Sequence, residues 1–405
     1  MEPGGQTATA SVTTKELNSS DIGPAGATLQ GSWSGATGTV YESGFYFGTN
    51  ASSLTERKDL KTDGGTSASG SFSVYVGGLA PNTTYYYQAY VREWNAKSND
   101  YEYRKGEVKS FTTAPEGQIS DQRPDYLSCG EIPAVSLSGS RATGKETFGS
   151  TNWYRYGVSG NANQMIVTHT FSDNNRIKRN YTMLYDNTKK AALWSAFVMH
   201  SGEYPHLVSR DDSYQYDPAL VFGNDYSWQV NVTSSGGSYG GNYTRGHQVA
   251  SNDRRTTGDQ MLQTDYVSNM TPQLSTFNSS GSSDWDDLET AIQNLGYNKI
   301  SGLDTLYVVT GAIFDAGYST IEKSGVTCAV PTRYYKCVMK VTYNSYGVAL
   351  SAVGAAFICE HKATSSKKNI TIKELEGITG FDFFTNIPAE IQKTAEETFT
   401  SLSSF

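Results

Sequence analysis

The chain has 405 residues, with 40 glycines, 28 tyrosines, 16 phenylalanines and 6 tryptophans. That is too long for one ordinary core, and it suits strands and turns around large aromatic side chains better than a helical bundle. A net charge of −8 excludes a generally basic nucleic-acid clamp, so any nucleic acid would be held locally and in a salt-sensitive way.

Residues 1–25 read as a flexible polar lead. No basic start or apolar core marks an export signal in Met1-Glu2-Pro3-Gly4-Gly5, and no run approaches the roughly 20 apolar residues of a membrane helix. Residues 26–115 read as an all-β sandwich, with strands expected at 27–33, 39–47, 70–76, 83–91 and 107–113, each bounded by Gly, Asn, Asp, Ser or Pro. The alternation in Thr84-Tyr85-Tyr86-Tyr87-Gln88-Ala89-Tyr90-Val91 fits a strand with one buried face. Residues 1–115 hold 9 Lys/Arg and 11 Asp/Glu, a net of −2 that leaves −6 for the rest.

A polar linker is expected over 116–124, and one α+β domain over 125–405. Its strands are expected at 164–171, 179–185, 191–199, 305–310, 334–343 and 347–359. Helices are expected at 283–293, capped by Ser282 or Ser283, and at 389–398. The cysteines Cys129, Cys328, Cys337 and Cys359 form no CxxC pair. Two readings stay open for them: Cys328 facing Cys337 across neighbouring strands, or four free thiols.

The chemistry centres on Tyr243-Thr244-Arg245-Gly246-His247. Phosphodiester hydrolysis needs a base for water, a cation for the developing charge and a means to stabilise the leaving alkoxide. Histidine suits the first task and arginine the second, while Gly246 permits a close backbone turn between them. The other histidines, His169, His200, His206 and His361, lack such a setting and read as structural or exposed. The acids Asp284, Asp286, Asp287 and Glu289 lack EF-hand spacing and read as the acidic start of a helix. Taken singly, Asn278 reads as a turn residue, Glu289 as solvated, Arg210 as a surface ion-pair partner and Asn269 as a turn-fixing residue.

Several pieces recur in order: Arg210-Asp211-Asp212-Ser213-Tyr214, the Arg-Gly-His run, Ser268-Asn269-Met270-Thr271-Pro272-Gln273, Phe277-Asn278, Trp285-Asp286-Asp287-Leu288-Glu289, and Glu374 through Phe384. Together they resemble the DNA/RNA non-specific endonuclease family with the ββα-metal fold. The resemblance implies an α+β nuclease domain on a central mixed or antiparallel sheet, and cleavage of DNA and RNA by Mg²⁺, Mn²⁺ or another divalent cation. It implies His247 as general base, Asn278 as the one direct metal ligand, Glu289 behind metal-bound waters, Asn269 beside the site, and Arg245 and Arg210 on the phosphate. The family run usually begins with Asp, where this chain has Thr244, whose hydroxyl can hold the loop by a neutral bond. The N-terminal Gly78-Leu79-Ala80-Pro81-Asn82-Thr83-Thr84-Tyr85-Tyr86 and Ser110-Phe111-Thr112-Thr113 resemble the fibronectin type III module, which implies a surface, carbohydrate or protein partner. The whole suggests a secreted or cell-surface bacterial protein. A nuclease-fold binding protein with weak or no activity, or a phosphodiesterase on another phosphate ester, stands as the alternative.

Overall fold

The computed structural model describes residues 7–18, 21–22, 26–61, 68–77, 79–80, 83–113, 129–174, 176–234, 238–279, 283–343 and 349–405. The described residues divide into two compact units, the first running to 113 and the second starting at 129. The expected linker at 116–124 and the serine-rich stretch at 280–282 lie outside the described residues.

The first unit holds β1 (Ser11–Thr14), β2 (Gly26–Ser34), β3 (Val40–Gly48), β4 (Glu56–Lys61), β5 (Gly70–Gly77), β6 (Thr84–Asn95) and β7 (Asp100–Thr112). They form two antiparallel sheets, ordered β1-β2-β5 and β4-β3-β6-β7. Inward positions of both sheets, among them Leu29, Trp33, Phe45, Phe47, Phe72 and Tyr87, make one buried core, as the period of 2 requires. The expected loose lead is corrected here, because β1 pairs with β2 along Ser11–Thr14. Strand β7 begins at Asp100 rather than 107, since its first half is polar and aromatic and presents no apolar alternation. Leu79 is buried, and the Tyr85 hydroxyl accepts the Ala80 N–H at 2.9 Å, pinning the turn to the next strand.

The second unit contains β8 (Leu137–Lys145), β9 (Asn152–Val158), β10 (Asn161–Asp173), β11 (Arg176–Asp186), β12 (Ala191–Met199), β13 (Tyr243–His247), β14 (Met270–Leu274), β15 (Asp304–Ile313), β16 (Thr320–Lys323), β17 (Val326–Ala329), β18 (Arg333–Tyr343), β19 (Ala349–Glu360) and β20 (Lys367–Ile370). Its helices are α1 (Gly258–Leu262), α2 (Asp284–Asn298), α3 (Ile372–Thr379) and α4 (Ala389–Glu397). Nine strands form one sheet, ordered β20-β19-β18-β15-β12-β11-β10-β9-β8, and every neighbouring pair is antiparallel.

Alternation along these strands gives the sheet two apolar faces, each covered by helix. One face joins Met183, Phe197, Val308 and Val338 to Trp285, Leu288, Ile292 and Leu295 of α2. The other joins Leu184, Trp194, Val309 and Met339 to α3 and α4 through Ile372, Leu375 and Ala395. Among the described residues no helix is long and apolar enough to cross a membrane. None of the four cysteines forms a disulfide among the described residues. Cys328 on β17 pairs with Ile321 of β16, while Cys337 on β18 lies opposite Val309 of β15, so the two do not face each other.

Candidate active site

Strands β13 and β14 form a separate antiparallel pair with Thr244 opposite Gln273, Gly246 opposite Thr271 and His247 opposite Met270. Helix α2 is the next element in the chain after β14. Gly246 sits within the strand rather than at a turn. A Cβ there would lie 2.1 Å from Cδ of Gln273, so only glycine lets that side chain cross the strand.

The His247 ring is held by a residue the motifs did not flag. Its Nε2 lies 3.1 Å from Oδ1 of Asp265, whose side chain is fully buried while that of His247 is 11% exposed. An Nε2–H donated to this carboxylate fixes the ring and leaves Nδ1 as a proton acceptor. Asp265 also accepts the Ser213 N–H through Oδ2 at 2.9 Å, which ties the segment carrying Arg210 to the histidine. Between them stands Tyr214, 6.1 Å from the His247 ring centroid to centroid. Arg245 stacks on Tyr214 at 3.4 Å and donates to the carbonyl of Val232 at 3.0 Å. Arg210 donates to the Tyr214 hydroxyl at 3.3 Å and to Asp212 at 2.9 Å. Burial acts to lower the Arg210 pKa, but Asp212 outweighs it and raises the net value. The structure therefore gathers His247, Arg245 and Arg210 around one tyrosine.

Asn278 follows β14, held by a backbone bond from its N–H to the Leu274 carbonyl at 2.9 Å. Its Nδ2 donates to Oγ1 of Thr244 at 3.1 Å and to the Arg245 carbonyl at 3.3 Å. Thr244 in turn donates to the Gln273 carbonyl at 3.3 Å. With both amide protons engaged, Oδ1 of this half-buried side chain is left as a hard oxygen ligand. Among the described residues no group of three or more His, Cys, Asp or Glu side chains could hold a metal. A cation here would take one protein oxygen and otherwise water, a donor set that fits Mg²⁺.

The model of the DNA/RNA non-specific endonuclease family matches residues 159–390, more than half of the chain. The chain belongs to the DNA/RNA non-specific endonuclease family. A nuclease of Nostoc sp. is 29% identical over 245 residues, 58% of this chain and 83% of that protein. The mitochondrial endonuclease G of Caenorhabditis elegans is 24% identical over 301 residues, covering 71% and 86%. A nuclease of Serratia marcescens is 24% identical over 242 residues, covering 58% and 80%. The protein is a hydrolytic endonuclease acting on nucleic acid.

Two expected site residues of this endonuclease, Asn269 and Glu289, form no side-chain hydrogen bond with the side chains of His247 or Asn278 among the described residues. Asn269 is fully buried, with Nδ2 donating to the carbonyls of Val249 and Thr264 at 2.9 and 2.8 Å and Oδ1 accepting the Val249 N–H at 2.9 Å. It clamps the chain beyond His247 to the chain before Asp265. Glu289 faces Lys336 of β18 at 3.3 Å and, among the described residues, bonds to neither His247 nor Asn278. Burial raises its carboxyl to about 7, against the lowering effect of Lys336. Lys336 alternates onto the α2 face of the sheet, 4.7 Å over the Trp285 ring, and lay outside every motif. Phe277 stacks on Trp285 at 5.7 Å, and Ser283 caps α2 while donating to the Phe277 carbonyl at 2.7 Å. The helix is thus docked by Trp285, whose truncation to alanine would cost about 3–5 kcal/mol, whatever the length of the loop between.

His169, expected to be structural or exposed, is fully buried, with Nδ1 3.1 Å from Glu146 and Nε2 3.2 Å from Asp217. Tyr266 donates to Glu146 at 2.9 Å and Ser268 to Asp217 at 2.6 Å. Burial alone would lower its pKa, but the two carboxylates outweigh it and hold it at about 10. His361 is structural as expected, accepting the Leu274 N–H at 2.8 Å and facing the Pro331 carbonyl at 2.7 Å.

Proposed function

We propose that the second unit is a Mg²⁺-dependent, sugar-non-specific endonuclease of the ββα-metal type, with His247 as general base. The observation that carries this reading is the His247–Asp265 pair beside two arginines and the free oxygen of Asn278. Asp265 holds the His247 ring so that its second nitrogen takes the proton of the attacking water. Arg245 and Arg210, fixed against Tyr214, bind the phosphate and oppose the charge that develops on it. Asn278 would hold the cation, which when bound supplies charge neutralisation at the phosphate and the leaving 3′-oxygen. Thr244 keeps the Asn278 amide turned for that task, a neutral replacement for the family's aspartate. Glu289, tied to Lys336, acts behind the site. Recognition through phosphate carries no base information, which supports cleavage of both DNA and RNA.

For the first unit, the order of three and four strands and the Tyr85 hydroxyl on the Ala80 N–H support a fibronectin type III-like module.

Incubating plasmid DNA and RNA with the protein in Mg²⁺ and in EDTA tests the enzyme reading. Cleavage of both polymers in Mg²⁺, abolished by EDTA, is the expected result. No cleavage with any divalent cation would leave a binding protein on a nuclease fold.

A further inference from the structure

The outward face of the β4-β3-β6-β7 sheet carries a continuous ladder of rings and cations. On β6, Tyr90, Arg92 and Trp94 alternate with Ala89 and Val91, which are buried in the core. Their β7 partners on the same face are Lys105, Tyr103 and Tyr101. Lys105 lies 4.1 Å over Tyr46, which is 4.9 Å from Tyr90. Tyr90 is 5.6 Å from Tyr103, with Arg57 over both rings at 5.3 and 5.5 Å. Arg92 then stands over Tyr101, Tyr41 and Tyr103 at 4.6, 5.6 and 6.0 Å, and Trp94 closes the row 5.0 Å from Tyr101. Tyr41 and Tyr103 remain about two-fifths exposed, at 39% and 40%.

Charge on this face is unbalanced although the chain as a whole is acidic. Arg57 is neutralised by Glu42, which also accepts the Tyr90 hydroxyl at 2.6 Å. Arg92 and Lys105 have no carboxylate or hydrogen-bond partner among the described residues. The rings hold the Arg92 guanidinium in place at little further entropic cost, while its N–H edge keeps its donors for an incoming anion.

We propose that this face binds single-stranded nucleic acid, with Arg92 and Lys105 on successive phosphates and bases laid against Tyr41, Tyr101 and Tyr103. Flat rings interleaved with unpaired cations suit a polymer of alternating bases and phosphates, and such stacking tolerates any base. The proposal rests on the endonuclease reading for its use. A strand held by one unit is presented to the other at a raised effective concentration because both belong to one chain.

The test uses the full chain in EDTA, where no cleavage is expected, with a fluorescent single-stranded oligonucleotide followed by anisotropy across a salt series. Arg92→Gln combined with Lys105→Gln should weaken binding about 10-fold and flatten the slope of log affinity against log salt by about 1.4, about 0.7 per lost phosphate contact. Tyr103→Leu should weaken binding about 5- to 10-fold with the slope unchanged. Lys105→Gln alone, which leaves the Arg92 stack untouched, guards against a folding defect and should give half of the slope change. Wild-type affinity and slope in all these variants would overturn the proposal. So would a sulfated glycan that competes fully with the oligonucleotide and loses affinity more steeply in the variants, which would assign the face to carbohydrate. Cleavage of plasmid by the wild type in Mg²⁺ is read separately, so failure of the endonuclease reading is distinguishable from failure of the platform.

Discussion

Two histidines in the second unit are each paired with carboxylate, and they show how burial decides what such a pair can do. His169 is sealed between Glu146 and Asp217 with no exposure on any of the three side chains. Each ring nitrogen faces a carboxylate, and the two carboxylates hold the ring's pKa up at about 10. His247 has one carboxylate, Asp265, and a side chain 11% open to solvent, so one nitrogen stays available. The first arrangement is a brace, since a ring that cannot change its charge near neutrality cannot shuttle a proton. The second fits the general base proposed for it. The two are linked through the backbone: Ser268, which donates to Asp217, precedes Asn269, which clamps the chain around His247 and Asp265.

Substitutions separate the roles of the two histidines. Asp265→Ala removes the group that orients His247 and releases the Ser213 N–H. A loss of about 100-fold in kcat with little change in KM is expected, measured on plasmid under saturating Mg²⁺. An equal rise in KM would instead make Asp265 a support for substrate binding. Thr244→Val keeps shape but removes the acceptor for the Asn278 amide, worth about 1 kcal/mol. A Mg²⁺ titration of the cleavage rate should then show a requirement raised about 5-fold, whereas an unchanged requirement would detach Thr244 from the cation.

His169→Gln should change the cleavage rate least and stability most. Breaking a buried ion cluster from one side costs about 3–5 kcal/mol. The sign of its pH dependence follows from the raised folded-state pKa. The stabilisation is complete below the unfolded value of about 6.5 and is lost as pH rises through about 10. The thermal midpoint of the wild type should therefore fall between those limits, and that fall should flatten in the variant. An equally steep fall in His169→Gln would remove the cluster from the account.

Much of the fold was legible because burial writes itself into alternation. The strands β10, β11, β12, β15, β18 and β19 are rich in apolar residues, and Ser283 and Trp285 marked the start of α2. Strands β8 and β9 were missed because Leu137–Lys145 and Asn152–Val158 lie at the sheet edge and carry Ser, Arg, Gly and Tyr. The ordered motifs singled out His247, Arg245, Arg210 and Asn278, which lie on β13, just after β14 and in the Tyr214 segment. They did not locate Asp265. An aspartate between Thr264 and Tyr266 carries no periodic signal, and only its burial beside the histidine reveals it. The partner of Glu289 was hidden for a similar reason: Lys336 reads as an interruption of β18 until α2 is placed over that face.

The most direct measurement is single-turnover cleavage of plasmid DNA in Mg²⁺ by the wild type, His247→Ala, Asp265→Ala and the double variant. With His247 as the base, its loss should slow cleavage by about 10²–10⁴-fold. Because Asp265 acts through His247, the double variant should be no slower than His247→Ala alone. Wild-type rates in His247→Ala, or losses that multiply in the double variant, would contradict the account.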